Sequence, residues 1–244
     1  MTDSSLGVTE PSSSLRRTIR YGFILSGTLL LIMAVGFFFQ AAWADALWPW
    51  ETSRLSNIFI SSILAASSIP ILWIALAGEL AATTGGAIDL GVMFAGMALF
   101  SYQVYARSGQ RSILFFAIFS TAMAVVCVML FLWARRLAFR NTRPLPRLVH
   151  VSFAIFSVLL ILVGIALLLV MPNILPWPLT PEQSVLYGWI FLGAAFYFLY
   201  AILNPKWGNA QGQLLGFLAY DLVLIVPFIN HFVTVRPEMR LSLV

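Results

Sequence analysis

Seven runs of about 20 apolar residues divide this chain, each long enough to cross the roughly 30 Å hydrocarbon core of a bilayer as a helix rising 1.5 Å per residue. They lie at about Tyr21 to Gln40, Ser56 to Gly78, Ala81 to Gln103, Ser112 to Trp133, Val149 to Met171, Ser184 to Leu203 and Gln211 to Phe232. Hydrocarbon offers no water to backbone N–H and C=O groups, so each run closes its own hydrogen bonds as an α-helix. Composition points the same way. Of 244 residues 61% are hydrophobic and 9% charged, whereas a soluble domain carries about 25% charged residues and needs them to coat its surface. The expected fold is an all-α integral membrane protein, a seven-transmembrane helix bundle. The expected location is the cell membrane, multi-pass, of the prokaryotic inner or plasma membrane type.

The connections set an orientation. With the N-terminus inside, Arg16, Arg17, Arg20, Arg135, Arg136, Arg140, Arg143, Arg147 and Lys206 fall on the inner side, against Arg54, Arg107, Arg111, Arg236 and Arg240 outside. Nine against five favours an N-in, C-out topology. The first run has an arginine cluster before it and Ala42-Trp43-Ala44 after it, the parts of a secretory signal. Its length exceeds the 7 to 15 residues of a signal core, so a retained span is expected. The basic loop is expected to bind anionic lipid headgroups through Arg135, Arg136, Arg140, Arg143 and Arg147. The net charge of +5 comes without interleaved aromatic and basic residues, so no nucleic-acid partner is expected.

Two anchors point to an internal repeat. Pro49-Trp50 aligns with Pro176-Trp177, placing the first span over the fifth and the second over the sixth. Ala87-Ile88-Asp89-Leu90 then aligns with Ala219-Tyr220-Asp221-Leu222, placing the third span over the seventh. The chain divides accordingly into a disordered cytoplasmic tail (1–19), a first three-helix repeat (20–105), a linking transmembrane helix with the basic loop (106–147), a second three-helix repeat (148–233) and a short tail (234–244). A single linking helix brings the second triplet in with the orientation of the first, which makes the 3+1+3 repeat parallel. This layout resembles that of PQ-loop sugar transporters and microbial rhodopsins in topology. Their residues do not carry over, because the chain has no Pro-Gln pair and its seventh span has no lysine for a retinal Schiff base.

Chemistry-bearing residues are few. Cys127 is the single cysteine, and His150 and His231 fall at opposite faces of the bilayer, so neither a metal site nor any other cofactor is expected. HExxH, GxSxG, Walker A and GxGxxG patterns are all missing, which leaves no support for a hydrolase or nucleotide enzyme. Asp89, Asp221 and the neighbouring Tyr220 form the candidate ion- or substrate-binding set. An aspartate at a helix centre costs about 2.5 to 3.5 kcal/mol to insert, so both carboxyls are expected to face the bundle interior at similar depth, protonated or holding a cation. The structural alternative pairs each with a hydroxyl from Ser61, Ser62, Ser67, Ser68, Thr83 or Thr84. Tyr220-Asp221 also resembles the Tyr-Asp pair of intramembrane aspartyl proteases. The segment Gly85-Gly86-Ala87-Ile88-Asp89 departs from that family's Gly-x-Gly-Asp motif, the order is reversed and its Pro-Ala-Leu motif is missing. Trp43, Trp48, Trp50 and Trp177 are expected in an outer aromatic belt, with Trp133 and Trp207 near the inner face.

Two functions follow as expectations. One is a small-solute or ion permease-like protein with a proton or cation site at the repeat interface. The other is a non-catalytic accessory or assembly subunit that packs against a membrane-protein partner.

Overall fold

The computed structural model describes residues 13–232, and the chain before and after them, including most of the 1–19 tail and all of the 234–244 tail, lies outside the described residues. Among the described residues the fold is all-helical. Its elements are α1 (Ser13–Phe38), the short α2 (Ala42–Asp45), α3 (Arg54–Ala77), a 3-10 turn (Leu80–Ala82), α4 (Thr83–Ser108), α5 (Arg111–Ala134), α6 (Arg147–Leu168), α7 (Pro181–Leu203) and α8 (Trp207–Phe232). Seven of these, all but α2, are long and apolar enough to cross a membrane, as a multi-pass membrane protein requires.

The helices begin and end for local reasons. Ser53 caps α3 by accepting from Ser56 N. Thr180 and Gln183 form a capping box on α7, and Pro181 occupies the first turn, where its missing N–H costs nothing. Gly78, at φ +69°, ends α3 in the left-handed conformation that glycine adopts without strain. Thr83 to Gly86 belong to α4, within the expected third span, and the boundaries shift where apolar counting is blind: α4 runs on to Ser108, and α8 starts at Trp207 rather than near Gln211. Polar residues such as Asn209 and Gln213 continue a helix readily once they are buried against neighbours.

Packing is pairwise. α1 packs on α3, α6 on α7, α3 on α8, and α4 on both α5 and α7. Small residues and hydroxyls bring these pairs together, as expected where lipid is as apolar as the interior and association rests on close contact and interhelical hydrogen bonds. Ser61 donates to Ala34 O (2.7 Å) and Ser68 to Gly27 O (2.7 Å), joining α3 to α1. Ser157 donates to Ala195 O (3.1 Å) and Ser184 to Leu167 O (2.7 Å), joining α6 to α7.

α8 approaches α3 at Pro70. Proline has no N–H for the carbonyl of Ala66 four residues back, and Gly216 closes on that freed carbonyl: a β-carbon there would stand 2.6 Å from Ala66 O. One turn earlier, Gly212 lies against the Trp73 ring in the same way. On the other pair, Gly85 of α4 lies against the rings of Tyr197 and Tyr200 of α7. An aromatic core centres on the fully buried Phe59, whose ring centroid is 4.7 Å from Tyr187, 5.8 Å from Phe191 and 5.8 Å from Trp177.

Candidate functional site

The two aspartates do not share a site. Asp89 stands about two and a half turns into its span, on the α4 face that packs against α7. There it meets Gly193: a β-carbon at Gly193 would lie 2.6 Å from Asp89 O and 2.7 Å from Asp89 Oδ1. The Tyr197 hydroxyl and the Cys127 thiol lie within electrostatic reach of its carboxyl, so Asp89 sits half-buried among α4, α5 and α7. Asp221 stands about four turns into α8 and is exposed on the outer surface of the bundle. The expectation that both carboxyls face inward is therefore corrected for Asp221.

The reason is helix rotation. The face of α8 that packs on α3 carries Gly212, Gly216 and Tyr220, spaced four apart. Asp221 follows Tyr220 and is turned about 100° from it. Tyr220 takes the interior position, edge-on to Phe59 at 6.4 Å and stacked on Phe217 at 6.3 Å, where it serves the core.

The hydroxyls anticipated as carboxyl partners are committed elsewhere. Ser62 and Ser67 donate to Phe59 O and Ile63 O within α3, Thr84 donates to Ala81 O of the preceding 3-10 turn, Ser61 and Ser68 reach α1, and Thr83 Oγ1 is buried without a partner among the described residues. No hydrogen bond joins either aspartate to a donor among the described residues, and no cluster of three or more metal-ligating side chains occurs among them.

A different carboxylate is fully engaged. Glu79, only 4% exposed, accepts from Arg140 N (2.8 Å, Oε1) and Asn141 N (3.0 Å, Oε2). Beside it Arg140 Nη1 donates to Ala77 O (2.9 Å), while Arg20 donates through Nε to Ala75 O (2.7 Å) and through Nη2 to Leu76 O (3.3 Å). Two guanidinium groups thus satisfy the last carbonyls of α3, where the negative end of the helix dipole favours cations. The loop is fastened on its other side as well: Leu145 N donates to Pro205 O, Trp207 N to Arg143 O and Gly208 N to Asn141 O. Lys206 Nζ lies 5.2 Å from the Phe139 ring centroid, a cation–π contact. Charge counting assigned Arg20 and Arg140 to topology and lipid alone. The sequence shows only an acid just after a glycine, Gly78-Glu79, which does not name the partners of the clamp.

At the opposite face Trp177 is 3% exposed, donates from Nε1 to Ser56 Oγ (3.0 Å) and packs on Phe228 at 5.8 Å. It is a core residue and not part of an interfacial belt. Trp48 and Trp50 pack on each other and on Phe116, while Trp43 is half exposed.

The guanidinium groups of Arg135, Arg136, Arg143 and Arg147 lie on exposed residues of the loop, beside shallow cavities lined by Arg140, Asn141, Thr142 and Arg143 and by Pro144, Leu145, Arg147, His150, Val151 and Pro205. Comparison with protein-family models, with curated proteins and with solved structures finds no match to this chain.

Proposed function

We propose that this protein is a non-catalytic accessory or assembly subunit of a larger membrane complex, in the cell membrane with its N-terminus inside and C-terminus outside. The observation that carries the reading is the separation of the two carboxyls. A permease working at the repeat interface needs Asp89 and Asp221 on one water-accessible path, whereas Asp89 is held between α4, α5 and α7 and Asp221 lies on the outer surface of α8. A centre filled with aromatic rings around Phe59 also suits a packing role better than a conduit.

The parallel 3+1+3 repeat remains part of the proposal, and helix pairing supports it. A twofold relation between the triplets carries the α1·α3 pair onto α6·α7 and the α3·α8 pair onto α7·α4, and all four are major contacts. The same offset that carries Pro49 onto Pro176 carries Pro70 onto Tyr197 and Trp73 onto Tyr200, the residues that receive Gly216 and Gly212 on one pair and Gly85 on the other. In the cytoplasmic orientation, the exposed arginines at 135, 136, 143 and 147 would face anionic headgroups, each worth about 1 kcal/mol near such a surface.

Purification from native membranes in mild detergent tests the function. The expected result is a stoichiometric complex of larger mass, with the other subunits losing stability when this chain is deleted. A chain that elutes alone and carries solute or proton flux in proteoliposomes would sink the accessory reading.

A further inference from the structure

The outward face of α8 carries Leu218, Asp221, Leu222, Ile225, Val226 and Ile229, spaced three and four apart along one side of the helix, and all are exposed. Apolar side chains facing outward are ordinary in a membrane helix. Asp221 is not, because it stands near the middle of the span, where an unpaired carboxyl meets hydrocarbon on the open side and a polar group without a partner costs several kcal/mol.

The equivalent face of α4 is not open. α5 covers it, with Gly91 against Cys127 and Phe94 edge-on to Phe119 at 6.0 Å. In the register that lays Gly85 of α4 on Gly216 of α8, one residue off the Asp89–Asp221 alignment of the sequence, Asp89 falls on Tyr220, and Gly91 and Phe94 fall on Leu222 and Ile225. The open stripe of α8 is thus the counterpart of the stripe that α5 occupies, and among the described residues no helix takes the place of α5 beside α8.

We propose that this stripe docks a membrane-spanning helix of a different protein, in the position α5 takes on α4, and that this helix carries a lysine or arginine at the depth of Asp221. Charge complementarity selects that occupant. A carboxyl in hydrocarbon is satisfied best by a charge-assisted hydrogen bond from a buried cation, and the pair enters lipid at less cost than either charge alone. A second copy of this chain does not fit, because its span interiors hold no lysine or arginine: the arginines at 16, 17, 20, 54, 107, 111 and 147 all stand within two turns of a span end. The proposal rests on the accessory reading and names the surface and the chemistry by which it would be carried out.

The test uses the full chain with a fluorescent donor fused to its N-terminus, reconstituted in neutral phosphatidylcholine vesicles. The probe is an acceptor-labelled Leu/Ala host helix of about 20 residues, with tryptophan flanks and either Lys or Leu at its centre. The Lys-centred helix is expected to associate about tenfold more tightly than the Leu-centred one, and Asp221→Leu is expected to remove the difference. Asp221 makes no hydrogen bond among the described residues, so this variant should fold, and circular dichroism checks that it does. Equal binding of the two helices overturns the proposal, as does a lysine preference that survives Asp221→Leu. Energy transfer between two copies of the chain that exceeds transfer to the Lys helix, and that Asp221→Leu abolishes, overturns it in favour of self-association. A native complex that keeps its stoichiometry with Asp221→Leu overturns this docking face and leaves the accessory reading standing.

Discussion

Replacing Glu79 by alanine should release the loop between α5 and α6. The carboxylate accepts two backbone N–H groups, Arg140 N at 2.8 Å and Asn141 N at 3.0 Å, in a setting that leaves Glu79 only 4% exposed. Hydrogen bonds to a charged acceptor contribute about 1.5 to 3 kcal/mol each, which gives roughly 3 to 6 kcal/mol for the pair. Removing the charge also removes the cost of having buried it, and water reaches the part-buried loop once it opens, so about 3 kcal/mol is the expected net loss. The remaining links, from Leu145 N to Pro205 O, from Trp207 N to Arg143 O, from Gly208 N to Asn141 O and from Arg140 Nη1 to Ala77 O, are the same with or without Glu79, so the difference reads the two carboxylate bonds alone. Limited trypsin digestion of the detergent-solubilised protein reads this directly, since Arg136 and Arg140 are cleavage points within the clamped segment. If cleavage follows the open population, a 3 kcal/mol loss raises its rate on the order of 100-fold. Glu79→Gln keeps one acceptor oxygen and should fall between the two. A rise of less than about twofold in Glu79→Ala, against the 100-fold expected, would refute the claim that this carboxylate orders the loop.

Four further outcomes are expected. Gly193→Ala drives a β-carbon to within 2.6 Å of Asp89 O and should cost about 1 to 3 kcal/mol in thermal unfolding, so an unchanged melting temperature would contradict the close α4–α7 approach. Trp177→Phe keeps a ring but drops the bond to Ser56 Oγ, for a loss of about 1 kcal/mol. Trp177→Ala should lose about 3 to 5 kcal/mol, and small equal losses would return Trp177 to the interface. Thr180→Ala removes the α7 cap and should destabilise by about 1 kcal/mol, checked by unfolding in the same detergent. For orientation, Ser12→Cys should react with an impermeant thiol reagent only from the cytoplasm and Ser242→Cys only from outside, in a Cys127→Ala background, and the reverse pattern refutes the N-in topology.

What the sequence determined by itself was everything that hydrocarbon or local chemistry demands of a single segment. The seven spans follow from run length, because each helix must satisfy its own backbone wherever it sits in the bundle. What only the tertiary structure decided was rotation about each helix axis and contacts between distant segments. In a soluble protein an apolar stripe announces the buried face, but here lipid and interior are equally apolar, and the pattern of hydrophobicity does not say which way a residue points. Asp89 and Asp221 therefore look equivalent in matching tetrapeptides, although packing places Tyr220 where the second aspartate was expected and turns Asp221 outward. The Glu79 clamp was equally hidden, because its partners lie 61 and 62 residues along the chain. Their meeting depends on where α4 and α5 return the backbone, which is a property of the assembled bundle and of no segment alone.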